Sequence, residues 1–198
     1  MSLKLDLLSL WMPEFVIKKE LKLLGDVTIG ELDRLLQENA PSYLKSVKRP
    51  VFEGDSTAIR AEIASAHNKR VNLLVDSLGR DKAIQLGREA LFIVGKDLGS
   101  QIKNRIGVGK SLNELIKAAS ILYLVLGITF KVKKINGDIF MVVNRCSLAR
   151  HYSPETCLIL SAADEGVVKG LNPKIKMKFT ERIADGAACC LASIQVEE

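Results

Sequence analysis

Residues 128–145 read ITFKVKKINGDIFMVVNR. Two apolar/polar alternations flank Asn136-Gly137, a dipeptide suited to the positive-φ positions of a two-residue type I′ turn. The period of two predicts a hairpin with strands Ile128–Ile135 and Asp138–Arg145. A second unit of the same kind lies downstream. Pro173 opens a strand over Lys174–Arg182, a turn follows at Ala184-Asp185-Gly186-Ala187, and a strand over Ala188–Val196 closes it. Between the hairpins, Ser153-Pro154-Glu155 supplies the cap, first-turn proline and first-turn acid of a helix that runs to about Gly170. Hairpin, helix, hairpin, preceded by helices, predicts an α+β fold: an antiparallel four-stranded sheet of two hairpins, covered on one face by helices.

Upstream, Ser56 or Thr57 opens a helix that Gly79 ends, and Asp81 starts another to about Ile106. In the latter, Gly87, Gly95 and Gly99 share one face. Such a face admits either another backbone or a flat ligand, and close helix packing is the plainer reading. Ser111-x-x-Glu114 is a capping box for a helix ending at Gly127. The first fifty residues differ in character. Leu3–Trp11 and Glu14–Leu24 read as short amphipathic helices separated by Pro13, and Thr28-x-x-Glu31 reads as a capping box for a third. The expected division is a helical arm or small subdomain over 1–50 and one α+β domain over 51–198.

The chain has 198 residues, 47% hydrophobic and 26% charged, with a formal charge of +6. That composition describes a folded domain with a core of its own. The basic surplus is too small to imply nucleic acid, and no helix-turn-helix is evident. The longest apolar run, Ala118–Phe130, is interrupted by Ser120, Gly127 and Thr129, so no membrane span is expected. The start has no basic leader region, which favours a cytoplasmic location and free thiols at Cys146, Cys157, Cys189 and Cys190. Gly107-Val108-Gly109-Lys110-Ser111 lacks the first glycine of a phosphate-binding loop, since Asn104 occupies that place. His67-Asn68-Lys69-Arg70 reads as a solvated helix face.

Strand parity locates the chemistry. Ile175, Met177 and Phe179 share one face with lysines opposite, and the alternation carried onward turns Glu181 inward. Cys190, Ala192 and Ile194 form the inner face of the last strand. Cys157 lies in the first turn of the helix begun by Ser153, where the helix N-terminus favours a thiolate. Cys157, Glu181 and Cys190 therefore form a candidate cluster, with Cys146 or His151 as a candidate fourth ligand, and such a set suits Zn²⁺. Ordinary buried core thiols are the alternative reading.

The run Cys146-x10-Cys157, the helix after it and KIKMKFTERIADGAACCLASI resemble the C-terminal half of the 4-vinyl reductase-like, or hydrocarbon-binding, domains. They are also similar to the L-2-amino-thiazoline-4-carboxylic acid hydrolase group. LLVDSLGRDKAIQLGREALFIVGKDLG resembles the helical pair of these domains, so the likeness spans about residues 56–197. The resemblance implies a cysteine at the helix start (Cys157), an acid near the end of the next strand (Glu181) and a G-x-x-x-C hairpin (Gly186 to Cys190). The sensor members place two cysteines after the acid to complete a zinc site. Here Ala184 stands where the nearer one is expected.

Three functions follow as expectations. The first is binding of a small hydrophobic or planar molecule in an apolar pocket between helices and sheet, walled by Phe92, Gly95, Gly99 and Tyr123 and braced by the cysteine/carboxylate cluster. The second, implied by the resemblance, is hydrolysis of a cyclic amidine or thiazoline, with Cys157 as nucleophile or metal ligand and Glu181 activating water. The third is a ligand-sensing transcriptional regulator. A homodimer is expected through Leu7, Leu8, Leu10, Trp11 and Phe15 of the arm.

Overall fold

The computed structural model describes residues 12–107 and 111–197. Among these residues six α-helices and one four-stranded sheet form an α+β fold. The helices are α1 (Glu14–Asn39), α2 (Pro41–Leu44), α3 (Ser56–Leu78), α4 (Arg80–Ile106), α5 (Leu112–Leu126) and α6 (Pro154–Leu171). The strands are β1 (Ile128–Ile135), β2 (Asp138–Cys146), β3 (Ile175–Glu181) and β4 (Cys190–Val196). The expected helix over Leu3–Trp11, and Leu7–Trp11 of the expected dimer contact, lie outside the described residues. Phe15 of that contact is exposed.

Both hairpins form. Asn136 and Gly137 take φ of 52° and 95°, and β1 pairs β2 antiparallel. The hairpins join through β2 and β4, giving the order β1-β2-β4-β3, with Val143 opposite Cys190. Inward Met141, Val143, Met177, Phe179, Cys190 and Ala192 form one core cluster with Tyr123 of α5.

The N-terminal region departs from expectation in one respect. α1 runs unbroken through Thr28, which is not a cap. The Thr28 hydroxyl donates to the Leu24 carbonyl at 2.7 Å, one turn back. Continuity is favoured by burial: Leu21, Leu32 and Leu36 are fully enclosed, and Gly25 sits against Phe52 and Ile63 of the opposing segment. For α3 the cap is Asp55, whose side chain accepts from the Ala58 N–H.

The α4 glycine face is used for helix packing. A Cβ on Gly95 would lie 2.0 Å from the Ala163 carbonyl oxygen, and one on Gly99 2.3 Å from that of Val167. Gly166 and Gly170 of α6 reciprocate against the carbonyls of Phe92 and Lys96. Four glycines thus let two backbones meet directly, which fixes the rotation of α6 about its own axis. That rotation aims Cys157, Leu160, Ser161 and Asp164 away from the seam, at helical spacing, toward the sheet.

Candidate functional site

A cavity of about 120 Å³ lies where α1, α3, α5 and α6 meet the inner face of the sheet. Its walls are largely apolar, with Leu24, Ile63, Leu122, Val143 and Phe179 among them. Into it project Asp164 of α6, Tyr123 of α5, Tyr152 of the segment before α6, Arg182 at the end of β3, and the thiols of Cys146, Cys157 and Cys190.

Asp164 is the central charge of this space. Asp164 is half-buried and lines the cavity. Burial and the neighbouring Glu165 carboxylate push its pKa up to about 7, and hydrogen bonding with Tyr123 offsets part of that rise. No basic side chain pairs with it among the described residues. Glu165, the next residue, is held instead: it accepts from Arg88 at 2.7 Å and from the Phe179 N–H at 3.2 Å, tying α4, α6 and β3 together.

The thiols are kept neutral. Burial, then the proximity of Cys190 and Cys146, raises Cys157 to about 12, so enclosure outweighs the helix N-terminus that was expected to favour its thiolate. Burial also raises Cys146 and Cys190, and for Cys190 the Ile183 N–H, donating to its Sγ at 3.4 Å, acts in the opposite direction.

Glu181 does not face this cluster. The register slips between Phe179, opposite Ala192, and Glu181, opposite Leu191, and this bulge reverses the alternation. Glu181 is consequently exposed and Arg182 buried. The Arg182 Nε donates to the Ser161 hydroxyl at 3.2 Å, and its guanidinium lies 5.9 Å from the centre of the Phe179 ring. His151 is exposed as well. Among the described residues no three His, Cys, Asp or Glu side chains are grouped to hold a metal ion. Of the expected pocket wall, Tyr123 lines the cavity. Gly95 and Gly99 lie in the α4–α6 seam, and Phe92 borders a separate surface hollow beside Glu165 and Lys169.

The segment expected to be a solvated face contains two enclosed side chains. His67 and Arg70 are each 2% exposed. Arg70 pairs with Asp33 of α1 at 2.7 Å. His67 lies between the Thr28 hydroxyl, 2.8 Å from its Nε2, and the Tyr152 hydroxyl, 2.9 Å from its Nδ1. Burial and the nearby Arg70 charge lower His67 to about 3, so the ring is neutral.

A family model described as L-2-amino-thiazoline-4-carboxylic acid hydrolase matches residues 38–193. The chain belongs to that family. Its matched region runs from the end of α1 into β4 and so includes the cavity's thiols, Asp164, Tyr152, His67 and Arg182. No curated protein sequence matches this hydrolase-family chain. Among solved structures it is similar to trafficking protein particle complex subunit 3 from Naegleria fowleri, covalently bound to palmitic acid. That likeness has 14% identity and a TM-score of 0.55, and covers 70% of this chain and 95% of that one. It shows a shared fold. A weaker likeness is to the phenol-responsive sensory domain of the transcription activator PoxR with phenol, at 16% identity and TM-score 0.48, covering 75% and 77% of the two chains. No described helix is long and apolar enough to cross a membrane.

Sequence reasoning missed Asp164, His67, Tyr152 and Arg182. A signal existed for two of them. Asp164 follows Cys157 by seven residues, two helical turns along the same face. His67 sits four residues after Ile63 and seven before Leu74, inside the apolar stripe of α3.

Proposed function

We propose that this cavity binds a small planar molecule of about one ring in size. The observation that carries the reading is Asp164: a half-buried carboxyl that lines a largely apolar space and has no cationic partner among the described residues. Burying such a group is costly, and sites that keep one commonly use it on a ligand. The volume is comparable to cavities that hold benzene, roughly 150 Å³, and is too small for a long acyl chain. Cys146, Cys157 and Cys190 form one wall and brace α6 against β2 and β4.

Family membership favours a second, more specific reading, hydrolysis of a cyclic thiazoline. In that reading Asp164 takes the water-activating part first expected of Glu181, because a carboxyl titrating near neutrality is matched to general-base work. Arg182 offers a counter-charge for a substrate carboxylate, and Cys157 shapes the wall as a neutral thiol.

The experiment is isothermal titration of the protein with L-2-amino-thiazoline-4-carboxylic acid and with phenol, followed by a ring-opening assay on the former. Binding of either that is lost in Asp164→Ala supports the ligand site. Ring opening that is lost in Asp164→Asn, with binding retained, supports the hydrolase. Undiminished binding in Asp164→Ala removes both readings.

A further inference from the structure

The hydrogen-bond chain through His67 has only one consistent direction. Thr28 Oγ1 lies 2.7 Å from the Leu24 carbonyl and 3.4 Å from that of Gly25. Carbonyl oxygens only accept, so the single hydroxyl proton of Thr28 is committed to them. The 2.8 Å contact between Thr28 and His67 therefore has Nε2–H as donor and the hydroxyl oxygen as acceptor. His67 is enclosed, with the Arg70 guanidinium nearby committed to Asp33 and no carboxylate bonded to the ring. A neutral ring with its proton on Nε2 has a bare Nδ1, which accepts the Tyr152 O–H at 2.9 Å. Tyr152 then has no proton left for the cavity that it lines.

We infer that Thr28 and His67 are positioning residues that hold Tyr152 as an obligate hydrogen-bond acceptor toward the cavity, so that the site selects ligands presenting an N–H or O–H at that wall. This rests on the cavity being a ligand site. The selection is a matter of direction rather than charge: a carbonyl or ether placed against Tyr152 meets a lone pair and no donor, and leaves two acceptors facing each other at a largely apolar wall. The arrangement links α1, α3 and the segment before α6. Its inner end stops on a helix carbonyl, and its outer end is the half-buried Tyr152. It fixes an orientation and does not conduct protons.

The test uses the full chain with ¹⁵N-labelled histidine, and L-2-amino-thiazoline-4-carboxylic acid, whose amino group supplies N–H donors, as the probe. Only two histidines are present, so His151→Gln assigns His67. The wild-type ring is expected to show Nε2 as the protonated nitrogen and Nδ1 as the bare one. Tyr152→Phe is expected to weaken probe binding about tenfold, the loss of one hydrogen bond, without moving the ring proton. Thr28→Val is expected to move the proton toward Nδ1 and weaken the probe by a similar factor, while Thr28→Ser keeps both readouts. A wild-type ring protonated at Nδ1, or Tyr152→Phe binding the probe as tightly as wild type, overturns the inference even if Thr28→Val fails to fold. Failure of the wild type to bind the probe overturns the acceptor role together with the ligand-site reading, and is distinguished from the first two outcomes by a correctly protonated His67.

Discussion

Gly95 of α4 lies so close to Ala163 of α6 that a β-carbon on it would fall 2.0 Å from the Ala163 carbonyl oxygen. Backbone cannot yield as a side-chain tip can. Gly95→Ala is therefore expected to push the helices apart. Alanine gains about 1 kcal/mol in intrinsic helix propensity. Overpacking costs roughly 1–3 kcal/mol, and a clash with backbone belongs at the upper end. The net is a destabilisation of about 2 kcal/mol, or roughly 4–8 °C in melting temperature. Gly30 of α1 is the control, since nothing lies within 4 Å of a Cβ there. Gly30→Ala is expected to raise the melting temperature by about 2–4 °C. Thermal melts of the two variants check the pair; equal shifts of one sign would contradict the packing.

Asp164 and His67 give stability opposite dependences on pH. The Asp164 carboxyl is raised to about 7 in the fold, so the folded state binds more protons than the unfolded state between about pH 4 and 7. Its contribution is full below pH 4 and is lost as pH rises through 7. His67 is lowered to about 3, so the unfolded state binds the extra proton below about pH 6.5. Its contribution is present above 6.5 and is lost as pH falls toward 3. Each slope is at most about 1.4 kcal/mol per pH unit, and between pH 4 and 6.5 they oppose each other. Relative to wild type, Asp164→Asn is expected to leave a steeper rise of stability with pH in that window, and His67→Gln a flatter or falling one. Urea titrations at pH 4.5, 5.5 and 6.5 measure both.

Much of the fold was legible because its signals are local. Asn136-Gly137, Ser111-x-x-Glu114, Ser153-Pro154 and Gly79 each act within one turn of chain, and the elements they bound stand where they were expected. The site was less legible because it depends on pairs distant in sequence. Thr28 resembles a cap until His67, 39 residues away, is seen to use its hydroxyl. Glu181 was placed inward by a parity rule that holds through Phe179 and fails at a single bulge. No residue at that bulge announces it, since Thr180 suits regular strand as well. The order β1-β2-β4-β3 likewise depends on a β2–β4 contact that neither hairpin specifies alone.

Cys157 is expected to resist alkylation. With its thiol raised to about 12 by burial and the neighbouring thiols, native Cys157 stays protonated at pH 7.5. Treatment of the native protein with iodoacetamide at pH 7.5, followed by peptide mass mapping, should leave Cys157 unmodified. The same treatment in 8 M urea (an unfolding concentration) should modify it fully. Rapid labelling of native Cys157 would restore the activated thiolate that burial argues against.

The bulge after Phe179 predicts an inversion of the roles that strand parity alone assigns to neighbouring residues. Glu181 is exposed at an edge strand, and no ion pair holds it among the described residues. Glu181→Gln is expected to change stability by no more than about 0.5 kcal/mol and to leave ligand binding unchanged. Arg182 is 8% exposed, with its guanidinium against Phe179 and its Nε bonded to Ser161. Arg182→Ala removes that packing, one of the two donors to the Ser161 oxygen and the ion pair with Asp185 at 3.8 Å, which is expected to cost about 2–3 kcal/mol. Arg182→Lys retains a charge but not the planar fork and should recover only part of the loss. Chemical denaturation of the three variants ranks them. If Glu181→Gln proved the most destabilising, the register slip would be refuted and the inward carboxylate reinstated.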